Sequence, residues 1–289
     1  MRTEQQMFDL ILTTAKEDER IVAVYMNGSR TNPNVPKDIF QDYDIVYVVR
    51  ETRTFRDDPD WIKRFGKILF MQFPEENDFY PNDRENSYGW LMQFEDGNRL
   101  DLHVETIEHT LAHIKEDGLC RILLDKEGIL PKLPESTDAQ YWVKRPSQEE
   151  VAFCCNEFWW CLDNVAKGLW REEIPYVQDM LNYVIRPQLV TLLSWKVGIQ
   201  TEFSCSVGKS GKYLPRWLTK EEWQQFLATY AGGKVLELWE AVKIMCQLFD
   251  RTARSVCEAL HYSYDEKEAE ACMGFLERVH RLPKDAKEI

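Results

Sequence analysis

Two aspartates, Asp42 and Asp44, open an otherwise apolar run, Ile45-Val46-Tyr47-Val48-Val49. Side chains two apart on a strand project to the same face. Both carboxylates therefore point one way at the mouth of a buried strand. So close a pair repel each other unless a cation lies between them. Hard oxygen ligands suit Mg²⁺, which usually takes one or two carboxylates plus phosphate oxygens. Upstream, the β-branched run Ile21-Val22-Ala23-Val24-Tyr25-Met26 reads as another strand, closed by Asn27-Gly28-Ser29. A glycine there lets backbone approach a phosphate closely, and Ser29 can bond its oxygens. A third carboxylate, Asp101, sits inside Leu100-Asp101-Leu102-His103. An aspartate in such a strand is costly unless paired or bound to metal. An Asp-x-Asp pair or a Gly-Ser turn alone is commonplace; strand, Gly-Ser, spacer, Asp-x-Asp strand and a third Asp together are far more specific.

The remaining pattern gives an α+β fold. The first half reads as a mixed α/β domain: a helix over residues 5–18, strands at 21–26, 45–49, 67–73, 90–94, 100–104 and 120–125, and short helices at 58–65 and 108–116. Asp96-Gly97 marks a hairpin between two of the strands. Pro131, Pro134 and Glu135-Ser136-Thr137-Asp138 form a natural linker, so the boundary is placed at 1–140 and 141–289. Ser147 ahead of Gln148-Glu149-Glu150 is a capped helix start. A helical bundle then follows, with helices near 147–170, 172–198, 219–230, 233–261 and 265–281. Pro175 falls in a first turn, where proline is tolerated, whereas Pro187 is interior and predicts a kink.

Composition mainly excludes. Thirty-six basic against 49 acidic residues leave a net charge of −13. That argues against nucleic acid held by counterion release. No run approaches the roughly 18 apolar residues of a membrane span, and the start, Met1-Arg2-Thr3-Glu4-Gln5-Gln6, lacks the apolar core of a signal peptide. The expectation is a cytoplasmic protein that binds neither nucleic acid nor membrane, a monomer or weak dimer. The eight cysteines show no Cys-x-x-Cys pair and read as reduced core thiols. The five histidines give no close ligand cluster; His109 and His113 share a helix face but, among Glu and Lys, read as a solvated pair and not a metal site.

Gly28-Ser29, Asp42-Tyr43-Asp44 and Asp101 resemble the nucleotidyltransferase signature of the polymerase-β-like fold. The fuller string from Met26 to Asp38, with Phe40-Gln41-Asp42-Tyr43-Asp44-Ile45, Asp96 to Leu102, and Ser206 to Leu214, resembles the aminoglycoside 6-adenylyltransferases over essentially the whole chain. The resemblance implies Mg-dependent transfer of AMP from ATP to the 6-hydroxyl of streptomycin, with release of pyrophosphate. It implies that Asp42, Asp44 and Asp101 hold Mg²⁺, two ions in all. Asp101 would serve as general base, with Glu105 the weaker alternative. Gly28, Ser29 and Arg30 would contact the nucleotide.

Lys209-Ser210-Gly211-Lys212 is not a Walker loop, because Phe203 stands where that loop needs glycine. Its two lysines suit the β- and γ-phosphates, with the helical domain closing the nucleotide and acceptor cleft. A cationic acceptor calls for carboxylates and aromatic faces. Glu157, Trp160, Asp163, Trp170 and Asp179 are the candidates. The alternatives are a non-catalytic nucleotidyltransferase-like regulatory or antitoxin module, which the three intact carboxylates argue against, and an adenylyltransferase with another acceptor.

Overall fold

The computed structural model describes residues Met1–Ile289, which divide into two compact units, Met1–Gln140 and Tyr141–Ile289. The fold is α+β: a six-stranded mixed sheet in the first unit and helices in the second.

Helix α1 (Glu4–Glu17) opens with a capping box, Thr3 and Gln6 satisfying each other's backbone N–H groups. Its apolar stripe, Met7, Ile11 and Ala15, is fully buried. Strands β1 (Ile21–Asn27), β2 (Tyr43–Val49), β3 (Ile68–Gln72), β4 (Ser87–Phe94), β5 (Arg99–Thr106) and β6 (Cys120–Asp125) form one sheet in the order β3-β4-β5-β2-β1-β6. All neighbours are antiparallel except β2 and β5, which run parallel. Short helices α2 (Arg53–Arg56) and α3 (Ile107–His113) lie in the connections.

Alternation divides the sheet into two faces. Tyr43, Ile45, Tyr47 and Val49 of β2 and Leu100, Leu102 and Val104 of β5 pack with Met7, Ile11, Trp61 and Phe65 in the larger core. The Tyr47 hydroxyl donates to the Ile11 carbonyl at 2.7 Å and ties α1 to the sheet, a buried bond worth about 1 kcal/mol net. Val46 and Val48 belong to a smaller cluster with Tyr25, Ile114 and Cys120. Asp44 and Asp101 share the parity of that second face.

The helical unit comprises α4 (Gln148–Arg171), α5 (Ile174–Asp179), α6 (Arg186–Gln200), α7 (Lys220–Ala228), α8 (Val235–Leu260) and α9 (Glu266–Arg281). Phe158 and Phe249 stack at its centre with ring centroids 3.6 Å apart. Where one long helix is expected, α5 passes into a π-helical turn, Met180–Ile185, before α6. Pro187, second in α6, has no N–H to donate, and the widened turn takes up its missing bond. Pro175 lies in the first turn of α5. All eight cysteines are unpaired, six of them buried. No helix is long and apolar enough to cross a membrane.

Candidate active site

The carboxylates meet through strand register. On β2, Asp44 lies opposite Asn27 of β1 on one side and Asp101 of β5 on the other. Parallel pairing of β2 with β5 is what sets two aspartates side by side, although 57 positions separate them in the chain. Asp42 is the residue next but one before Asp44, just ahead of β2.

Gly28 packs directly on Asp44. Its backbone has φ 76° and ψ −158°, a left-handed value that favours glycine, and a Cβ built there would lie 2.1 Å from Asp44 Oδ2. No other residue type fits this position without displacing the carboxylate. Ser29–Thr31 then form a single 3₁₀ turn, closed by the Thr31 hydroxyl donating to the Gly28 carbonyl at 2.8 Å.

The electrostatics are those of a site short of cations. Burial, then Asp101, then Asp42 raise the Asp44 carboxyl from its ordinary 3.8 to about 6. Asp42 is also raised, by burial first, with Arg99 working against the rise and Asp101 adding to it. Arg99 is a site residue that sequence reasoning passed over. Its Nε and Nη2 donate to the two Asp101 oxygens at 2.8 and 2.7 Å, and its Nη1 lies 3.5 Å from Asp42 Oδ2. A cationic group thus already stands between two of the three carboxylates. The Arg99 side chain is 43% exposed, whereas that of Asp101 is 13% exposed. Three oxygen-bearing groups around a position that attracts positive charge fit Mg²⁺ as a donor set.

Arg30 lies against the segment that leads into β2. Its Nε and Nη2 donate to the carbonyls of Asp42 and Gln41 at 2.9 and 2.8 Å, and its guanidinium lies 3.7 Å from the centre of the Tyr43 ring. These bonds hold the segment leading into β2, next to Asp42. A side-chain amide is missed too: Gln41 Nε2 donates to the Ser29 carbonyl at 3.4 Å, while its Oε1 is the one buried side-chain acceptor without a donor. Asn34 and Asn32 donate to Asp138, at 2.9 and 3.4 Å, and anchor the intervening loop. That loop leaves Ile39 and Phe40 exposed just ahead of Asp42.

Glu105, the alternative base, lies four residues beyond Asp101 on β5, opposite Val48. At about 3.3 Å per residue that is roughly 13 Å along the strand. It accepts from the Tyr25 hydroxyl at 2.7 Å and lies 3.2 Å from His113 Nε2. The expectation that the histidines form no ligand cluster is corrected here: one donor atom each from Glu105, His109 and His113 lie within 4.8 Å of one another. The break from strand to helix at Thr106 brings them together.

In the helical unit, Lys209 and Lys212 are both exposed on a loop whose Gly208, Ser210 and Gly211 all have positive φ. The acceptor candidates do not all converge. Trp160 and Asp163 border one hollow between α4 and α9, with Glu268 and Phe275 opposite. Asp163 is paired to Lys167 at 2.6 Å. Trp170 borders another hollow, with Arg171 and Leu282, and its indole N–H is buried without an acceptor. Glu157 is half-buried on α4 and Asp179 is exposed at the end of α5.

Coupled carboxylates on parallel strands, against a turn shaped for close backbone approach, mark the chain as a nucleotidyltransferase. A family model described as streptomycin adenylyltransferase matches residues 1–279. The aminoglycoside 6-adenylyltransferase of Bacillus subtilis (strain 168) is 39% identical over 267 residues, 92% of this chain and 94% of that protein. Those of Campylobacter jejuni (36% over 270 residues; 92% and 93%) and Staphylococcus aureus (34% over 269 residues; 93% and 95%) are also similar. The crystal structure of an aminoglycoside 6-adenyltransferase from Bacillus subtilis aligns with 98% of this chain and all of that one, at 34% identity and a TM-score of 0.48. The chain belongs to the streptomycin adenylyltransferase family.

Proposed function

We propose that this enzyme transfers AMP from ATP to an aminoglycoside, the acceptor being the 6-hydroxyl of streptomycin, and releases pyrophosphate. The observation that carries the reading is the Asp44–Asp101 register pair with Gly28 packed on Asp44. In the reaction the acceptor oxygen forms a bond to the α-phosphorus, and the bond from that phosphorus to the bridging oxygen of pyrophosphate breaks. Asp42, Asp44 and Asp101 would hold Mg²⁺, and two such ions would lower the acceptor hydroxyl's pKa and offset the charge that develops in the transfer.

The residues of the chain supply the rest. Asp101 takes the acceptor's proton on a carboxylate oxygen; it fits this role better than Glu105, because Asp101 lies beside Asp44 in the strand register and Glu105 is roughly 13 Å further along β5. Gly28 and Ser29 line the phosphate side with backbone N–H groups and a hydroxyl. Arg30 keeps Asp42 in place through the Gln41 and Asp42 carbonyls. Lys209 and Lys212 contribute charge toward the β- and γ-phosphates. Among the acceptor candidates, Trp160 and Asp163 have the best support, since they share one hollow. The eight unpaired thiols suit a cytoplasmic enzyme.

The test is mass spectrometry of streptomycin incubated with the protein, ATP and Mg²⁺, with pyrophosphate measured in parallel. The drug should gain one AMP and pyrophosphate should appear in equal amount, both lost in Asp44→Asn. Pyrophosphate release with another aminocyclitol but not with streptomycin would move the acceptor. Nucleotide binding without turnover on any acceptor would overturn the enzymatic reading.

A further inference from the structure

A second constellation lies outside the three aspartates. Glu105, His109 and His113 follow one another as Glu-x-x-x-His-x-x-x-His. Glu105 is on β5; Thr106 ends the strand and caps α3, its hydroxyl accepting from the His109 N–H at 3.4 Å. His109 and His113, four apart, then share one face of α3. Their ring centroids are 4.5 Å apart at an interplanar angle of 66°. His113 Nε2 is 3.2 Å from Glu105 Oε2. The carboxylate is held from below, the Tyr25 hydroxyl donating to Oε2 at 2.7 Å and the Thr110 hydroxyl at 3.4 Å. Glu105 is 8% exposed, whereas both imidazoles are reachable from solvent.

An ion pair with Glu105 needs only His113; the second imidazole adds a donor atom that the pair does not use. We propose that Glu105, His109 and His113 form a binding site for a divalent transition-metal ion of the zinc class. Two imidazole nitrogens and one carboxylate oxygen suit Zn²⁺ or Co²⁺, where the three aspartates suit Mg²⁺. Around a tetrahedral ion with bonds of about 2.0–2.1 Å, neighbouring ligand atoms lie about 3.3 Å apart. The Glu105–His113 pair already has that spacing at 3.2 Å, and all three donor atoms lie within 4.8 Å. Side-chain rotation of His109 closes the remainder. Tyr25 is the outer partner that orients a ligating carboxylate. Three protein ligands leave a fourth position for water. The ion would fasten α3 to the end of β5, the strand whose other end carries Asp101.

The experiment uses the full chain, stripped with a chelator and dialysed, with excess Mg²⁺ present to occupy the aspartates. Calorimetric titration with ZnCl₂ should show one saturable equivalent per chain. Co²⁺ in its place should give the strong visible absorption of a four-coordinate site. His109→Ala and His113→Ala should each weaken Zn²⁺ binding by about tenfold or more, while Asp44→Asn leaves it unchanged. Both histidines are partly exposed, so these variants fold where Glu105→Gln risks the buried carboxylate. Absence of a saturable equivalent, or equal binding by the double variant His109→Ala/His113→Ala, would overturn the proposal.

Discussion

Replacing Asp44 with Asn should make the metal-free protein more stable while it stops the reaction. Asp44 carries its charge at a cost, because burial and two carboxylate neighbours oppose it. A rise from 3.8 to about 6 is about two pKa steps at 1.36 kcal/mol each, so the ionised group costs the folded state up to about 3 kcal/mol. Asn is neutral and similar in size, and it keeps some cost of burying a polar group, so a gain of about 1–3 kcal/mol is expected. At about 3 °C per kcal/mol for a unit of this size, the Tm in EDTA at pH 8 should rise by about 3–9 °C. The folded carboxyl is raised above its unfolded value. Wild-type stability is therefore lost as pH rises from 3.8 toward about 6, and the advantage of Asn is full above that window. Below it, near pH 3, the wild-type group is mostly protonated in both states, and the two proteins should melt alike there. Mg²⁺ should raise the Tm of wild type much more than that of the variant, because it supplies the missing counter-charge. Activity should fall more than about a hundredfold, a loss of several kcal/mol of transition-state stabilisation. The assay is scanning calorimetry across pH with and without Mg²⁺. A variant that melts below wild type at pH 8 in EDTA, or a difference that persists unchanged to pH 3, would refute the reasoning.

Other substitutions probe the neighbouring contacts. Gly28→Ala should abolish turnover and lower the Tm, since its Cβ would lie 2.1 Å from Asp44 Oδ2; turnover near wild type would show that the turn yields. Arg99→Ala leaves Asp42 and Asp101 without their counter-charge, so the Tm in EDTA should drop by about 1 kcal/mol equivalent for a partly exposed bidentate pair, and the rise on adding Mg²⁺ should exceed that of wild type. Lys209→Ala and Lys212→Ala should each raise the KM for ATP about tenfold, one charge-assisted contact, with no change in Tm because both are exposed. Phe158→Ala should destabilise the helical unit by about 3–5 kcal/mol, read as an early transition by calorimetry, because it removes a fully buried ring stacked on Phe249.

What the sequence determined by itself is what one stretch of chain decides locally. Period and composition marked β1, β2 and β6, the capped start of α4 at Ser147, and the hairpin at Asp96-Gly97. The closeness of Asp42 and Asp44 was also legible, since residues two apart stay near each other in any fold, whereas the demand for glycine at 28 comes from Asp44 across the sheet. Tertiary structure decided the rest, because strand register and side-chain partners depend on segments far apart in the chain. Only the parallel pairing of β2 with β5 sets Asp101 beside Asp44, where Coulomb coupling raises Asp44. Arg30 and Arg99 look alike as nearby cations; the fold sends one to backbone carbonyls and the other onto two carboxylates. Glu105, His109 and His113 have a regular spacing, yet no single period describes them, since the chain changes from strand to helix at Thr106. Pro187 foretold a disturbed helix, and packing chose a π-helical turn as its form. Local stereochemistry sets which residues are able to act, and long-range register sets which of them meet.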